Sequence, residues 1–148
     1  MSHTNVSHLS HACQQAQEWI KALAAHPPFE VEDQAYSYAR AVLHTLRDRL
    51  TVEEAVHFGS QLPLLIRGMY YDGWKPSRVP DKIKSVSDFY ARVEESFRGF
   101  VIASAVDPME ATDAVLRFLE ERIDAGEMRH VKGQLPRELQ RMFGQEAA

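Results

Sequence analysis

Residues 41–70 read AVLHTLRDRLTVEEAVHFGSQLPLLIRGMY, and residues 114–143 read AVLRFLEERIDAGEMRHVKGQLPRELQRMF. The two stretches align without a gap at an offset of 73 positions, and eleven of the thirty positions are identical. The identities are Ala41/Ala114, Val42/Val115, Leu43/Leu116, Leu46/Leu119, Arg49/Arg122, Glu54/Glu127, His57/His130, Gln61/Gln134, Leu62/Leu135, Pro63/Pro136 and Met69/Met142. Ordinary composition gives about two matches in thirty by chance. A gapless match of this length points to internal duplication. The period is longer than in common solenoids and there are only two copies, so a pseudo-symmetric pair of bundles is expected rather than an extended array.

Each copy reads as about four helices. Ala12–Ala25 carries Ala16, Ile20 and Leu23 at helical spacing, and His26-Pro27-Pro28 stops it. From about Glu30 to Leu50, Val31, Ala35, Tyr38, Ala39, Val42, Leu43, Leu46 and Leu50 form one apolar stripe on steps of three and four. Thr51-Val52-Glu53-Glu54 has the form of a capping box, with the Glu54 carboxylate expected to reach back to the Thr51 amide. Asp124-Ala125-Gly126-Glu127 repeats it. Pro63 and Pro136 suit the first turn of a fourth helix, where an N–H is not needed. Gly73 suits a left-handed stop. The second copy opens with Val86, Phe89, Tyr90, Val93, Phe97 and Phe100, and Asp107-Pro108-Met109-Glu110 starts its next helix. No stretch alternates with period two for long enough to make a strand. The expected fold is all-α: two tandem repeats sharing one core, with their Gln-Leu-Pro elbows related by a pseudo-twofold axis. Residues 1–11 form a frayed, histidine-bearing tail, repeat one covers 12–74, a connector 75–84, and repeat two 85–148, all within one domain of 12–148.

The totals agree with a globular chain. Hydrophobic residues make up 45% and charged residues 26%, which argues against disorder. A net charge of -4 supplies no basic field to recruit nucleic acid. No apolar run is long enough to span a bilayer, and MSHTNVSHLSHAC lacks the basic and apolar regions of a signal peptide. Cys13 is the only cysteine, so no internal disulfide forms and a reducing cytoplasm is the expected setting.

The run LRDRLTVEEAVHFGSQLPLLIRGMYYDGW carries Arg49-Leu50, Glu53-Glu54, Gln61-Leu62-Pro63 and Arg67-Gly68 before Tyr70-Tyr71-Asp72-Gly73-Trp74. In these marks the chain resembles a bacterial family known as domain of unknown function 2267, over roughly residues 15 to 145. The resemblance implies a small all-helical bacterial protein and carries no activity, cofactor or catalytic residue. The second copy's Gly133-Gln134-Leu135-Pro136 follows the pattern without the Tyr-Tyr-Asp-Gly-Trp tail.

Candidate sites are few. His3, His8 and His11 offer imidazoles near Cys13, but their spacing is no ligand ladder and the tail has little to hold it rigid, so no metal site is assigned there. His57 and His130 recur in both copies; a catalytic histidine is rarely needed twice, so both are read as partly buried structural residues. Arg49/Arg122 and Glu54/Glu127 are read as helix-end and cap residues. The unduplicated segment is the better candidate: Arg67, Tyr71 and Trp74, followed by Lys75 and Arg78, have the residue types of binding anchors. The alternative for Trp74 is a pin holding the connector on the seam. KPSRVPDKIK, residues 75–84, has four basic residues against one acidic and reads as a solvated connector. No Gly-rich phosphate loop, CxxC, HExxH or GxSxG occurs.

The leading expectation is a non-catalytic interaction or regulatory module without a cofactor, binding an unknown protein partner or a second copy of itself. A small-ligand protein with a pocket between the repeats is the alternative. A metal-dependent enzyme is the third, and it requires Glu53, Glu94, Glu95, His44 and His57 to converge.

Overall fold

A computed structural model describes residues 6–97 and 106–144. Among these residues there are eight α-helices and no strand. They are α1 (Ser7–Ala24), α2 (Glu32–Arg49), α3 (Val52–Gly59), α4 (Leu64–Tyr71), α5 (Val86–Glu95), α6 (Pro108–Arg122), α7 (Ala125–Gln134) and α8 (Arg137–Gln140). A single 3-10 turn, Pro76–Arg78, lies between α4 and α5.

The central helices are the two whose stripes are longest. In α2, Ala35, Tyr38, Ala39, Val42, Leu43 and Leu46 are all buried, and the helix packs against α1, α4, α5 and α6. In α6, Ala111, Ala114, Val115, Leu116, Phe118 and Leu119 are buried. Both halves of the chain feed one hydrophobic cluster. The Trp19 and Phe118 rings meet edge to face at 4.9 Å, joining α1 to α6. The Tyr38 and Phe97 rings, 4.3 Å apart, join α2 to the end of α5.

The helix ends follow from local chemistry. The Thr51 hydroxyl accepts from the Glu54 amide (3.2 Å), Asp107 Oδ2 from the Glu110 amide (3.0 Å) and Asp124 Oδ2 from the Glu127 amide (3.2 Å). Gly73, with φ 75°, ends the first half in the left-handed region.

Several expectations need adjustment. Helix α1 begins at Ser7, so part of the expected tail is helical: the Val6 carbonyl accepts from the amides of Leu9 and Ser10, and Ala12 is already in the core. His3 and Phe100 lie outside the described residues. Val31 is exposed at the cap of α2, where the Gln34 side chain accepts from the Glu30 and Val31 amides instead. Pro63 and Pro136 stand at the cap, one residue ahead of the first turn. The connector is anchored rather than merely solvated. Ile83 is buried, its carbonyl accepts from Arg49 Nε (2.7 Å), and Asp81 pairs with Arg92 at 2.6 Å. Arg92 and the Lys82 amide hold the Asp81 carboxyl below the usual carboxylate range.

Candidate metal centre

A helix places residues three apart on one face, so Glu54 and His57 project together from α3, and Glu127 and His130 from α7. Helices α3 and α7 pack against each other. One donor atom from each of the four side chains lies within 4.8 Å of the others. Among the described residues this is the one group of three or more His, Cys, Asp or Glu side chains placed to share an ion.

The carboxylates are buried and the imidazoles are open. Glu54 is 7% exposed and Glu127 4%, whereas the His57 side chain is 56% exposed. His57 Nδ1 lies 2.7 Å from Glu127 Oε1 and 3.8 Å from Glu54 Oε2. Glu54 Oε1 accepts from Gln134 Nε2 (3.2 Å), and Gln134 Oε1 accepts from the Thr51 hydroxyl (3.1 Å). Glu54 Oε2 and Glu127 Oε2 are buried without a hydrogen-bond partner among the described residues. Burial first, and then the adjacent Glu54 carboxylate, push the Glu127 carboxyl up to about 7, while His57 pulls it down. Two carboxylates forced together out of water need a cation or shared protons, because each unpaired buried charge costs several kcal/mol (roughly).

The donor set is chemically coherent. Two imidazoles and two carboxylates suit a borderline divalent ion such as zinc, manganese, iron or cobalt, and the absence of thiolate from the group disfavours copper(I). With metal–donor lengths of about 2.0–2.2 Å, donors stand up to about 4 Å apart across an ion. Closing from 4.8 Å needs only a small swing of the exposed imidazoles. The spacing Glu-x-x-His also builds metal centres inside helical bundles.

In sequence these four residues read as structural because each matches its counterpart 73 positions away. Glu54 was expected to close a capping box, yet among the described hydrogen bonds its carboxylate turns across to Gln134. His57 and His130 were expected to be partly buried, yet both are exposed. The available signal was the pairing itself: Glu-x-x-His occurs twice, 73 positions apart.

The other candidates are placed elsewhere. Arg67 donates to the carbonyls of Gly59 (3.0 Å), Ser60 (3.4 Å) and Leu62 (3.0 Å), which fixes the elbow between α3 and α4. Tyr71 donates to the Val56 carbonyl (3.3 Å). The half-buried Trp74 packs on Tyr71 at 5.5 Å and against the core, its Nε1 buried without a hydrogen-bond partner among the described residues. Lys75 and Arg78 are exposed on the connector, as are His8 and His11 on α1. Glu53, Glu94, Glu95, His44 and His57 do not gather as a set; His44 Nε2 instead bonds the Met69 carbonyl at 2.7 Å. A cleft of about 240 Å³ lies between the turn after α1 and helix α6, lined by His26, Pro27, Glu110, Ala114, Arg117 and Phe118 among others. No described helix is long and apolar enough to cross a membrane.

No curated protein matches the chain significantly. A family model described as "Uncharacterized conserved protein (DUF2267)" matches residues 16–142, nearly the whole length, and the chain belongs to that family.

Proposed function

We propose that this protein is a non-catalytic, regulatory helical module that binds one divalent first-row transition-metal ion through Glu54, His57, Glu127 and His130. The observation that carries this reading is the pair of buried carboxylates, each with an unpartnered oxygen, facing two solvent-exposed imidazoles. Buried oxygens without donors are rare in stable proteins, and a cation resolves both at once. The exposed imidazoles give the ion a path from solvent.

The same reading extends to the architecture. The two repeats are related by a pseudo-twofold axis running between α3 and α7. Paired contacts support it. Arg67 Nη2 donates to the Leu62 carbonyl (3.0 Å), and at the shifted position Gln140 Nε2 donates to the Leu135 carbonyl (3.0 Å). An ion at the axis ties the halves together, so occupancy sets how firmly they are joined. Signalling to a partner through that junction keeps the role regulatory.

The test is calorimetric titration of chelator-stripped protein with zinc, manganese or cobalt. The wild type should bind one ion per chain. The His57→Ala/His130→Ala variant alters exposed residues, so it should stay folded and bind at least about 100-fold more weakly. Absence of binding, or binding unchanged in that variant, would overturn the reading; the second result would point to His8 and His11.

A further inference from the structure

We infer that Gln134 is a positioning residue that makes the proposed centre asymmetric: it holds Glu54 to the ion through one oxygen, while Glu127 chelates through two. This rests on the metal-binding reading above. Three hydrogen bonds close a ring around Glu54. The Thr51 hydroxyl accepts from the Glu54 amide (3.2 Å) and donates to Gln134 Oε1 (3.1 Å), while Gln134 Nε2 donates to Glu54 Oε1 (3.2 Å). The ring occupies Glu54 Oε1 and leaves the buried Oε2 as its free donor. An amide in this place orients a metal-binding carboxylate and sets which lone pairs remain.

Among the described residues the second half has no such ring. Asp124 Oδ2 accepts from the Glu127 amide (3.2 Å), as Thr51 does from Glu54. Asp124 stands at the position shifted from Thr51, but an ionised carboxylate has no proton to hand on to an amide oxygen. Gln61, the residue shifted from Gln134, is exposed as Gln134 is, but among the described residues its side chain makes no hydrogen bond. Both Glu127 oxygens are buried; among the described residues Oε2 has no hydrogen-bond partner, and Oε1 faces only His57 Nδ1, at 2.7 Å, itself a nitrogen of the proposed centre.

The four side chains then supply five donor atoms: two imidazole nitrogens, one oxygen of Glu54 and two of Glu127. Five donors exceed the tetrahedral set of structural zinc and suit an ion that takes five or six ligands, as manganese, iron(II) and cobalt do. Water fills any remaining position from the exposed side.

Cobalt(II) reports both parts, because its visible absorption is weak in five- or six-coordinate sites and intense in tetrahedral ones. Stripped wild-type protein titrated with cobalt should give the weak spectrum. Gln134→Ala should weaken cobalt binding by about 10–100-fold and change the spectrum, while the metal-free protein keeps its helical circular dichroism. Gln61→Ala should leave both affinity and spectrum unchanged. Gln134→Asn, which keeps the amide on a shorter arm, should recover part of the affinity. An intense tetrahedral spectrum in the wild type overturns the asymmetry. Equal effects of Gln134→Ala and Gln61→Ala overturn the assignment of Gln134. Failure of the wild type to bind cobalt at all, with zinc and manganese failing too, falls on the proposed function instead.

Discussion

The elbow between α3 and α4 and the elbow between α7 and α8 share Gln-Leu-Pro, but they are fastened by different chemistry. In the first, the buried Arg47 donates to the carbonyls of Tyr70 (2.7 Å) and Asp72 (3.1 Å), and the Tyr70 hydroxyl donates to the Ala55 carbonyl (2.7 Å). Tyr71 lies over Gly59 so closely that a Cβ there would stand 2.5 Å from its hydroxyl. In the second, the position shifted from Arg47 is Glu120, which accepts from the Gly144 amide (2.8 Å) and pairs with Lys132 at 2.7 Å. Lys132 stands at the position shifted from Gly59, and its ammonium also lies over the Phe143 ring at 5.5 Å. One elbow is a dry aromatic clasp; the other is a largely buried ionic one. The difference teaches that the fold tolerates two solutions wherever only packing is at stake. Against that latitude, an identical pair of exposed histidines beside an identical pair of buried glutamates needs a reason beyond packing.

The largest contrast should come from the residues at the shifted positions 47 and 120. Arg47→Ala strips a buried cation from two carbonyls and should cost about 3 kcal/mol in chemical denaturation. Glu120→Ala should cost less, about 1–2 kcal/mol, since Lys132 keeps its contact with the Phe143 ring and the Gly144 amide is exposed. Similar losses for the two variants would erase the distinction between the elbows. Next, Gly59→Ala forces the Tyr71 ring to shift and should cost about 1–2 kcal/mol. Pairing it with Tyr71→Phe, which removes the offending oxygen, should recover part of that cost; an unrecovered loss would place the strain elsewhere.

The halves should also differ in their response to acid. Burial, offset by the bond to the Met69 carbonyl and reinforced by Arg47 and Arg40, lowers the pKa of His44 below 6.5. The unfolded chain therefore takes up a proton near 6.5 that the native state resists. Stability contributed by neutral His44 is present above that pH and is lost as pH falls toward the lower native value. At the shifted position the second half has Arg117, which does not titrate in this range. His44→Gln should flatten the urea-midpoint profile between pH 6.5 and 5 relative to wild type; an unchanged slope would remove His44 as its source. The smallest expected effect is on the metal-free stability of His57→Ala, about 1 kcal/mol or less, because the imidazole is exposed although it faces the buried Glu127 carboxylate. The same variant should lose the stabilisation conferred by metal, about 2.7 kcal/mol at a hundredfold excess over Kd. A large loss without metal would make His57 a structural residue after all.

Most of the fold was legible because its determinants are local. The stripe of α2, the caps at Thr51, Asp107 and Asp124, and the stop at Gly73 each depend on neighbours within a few residues. The start of α1 is not legible in the sequence because Ser7 and His8 are weak helix formers whose turn is held by the Val6 carbonyl. The candidate site was legible only as two separate Glu-x-x-His pairs, since the approach of α3 to α7 joins residues 73 positions apart. Gln134 was invisible as a partner of Glu54 for the same reason: the bond crosses between helices. Arg67 and Tyr71 looked like anchors for a partner because their residue types are shared by binding surfaces and by elbow fastenings alike.

The most direct test is anomalous diffraction at the cobalt edge from crystals of stripped protein soaked in cobalt(II). A single strong peak should stand between α3 and α7, within about 2.3 Å of Glu54 Oε2, both Glu127 oxygens and one nitrogen each of His57 and His130. A map without a peak there, or with its main peak beside His8 and His11, would contradict the claim that the duplicated Glu-x-x-His pairs form one metal centre.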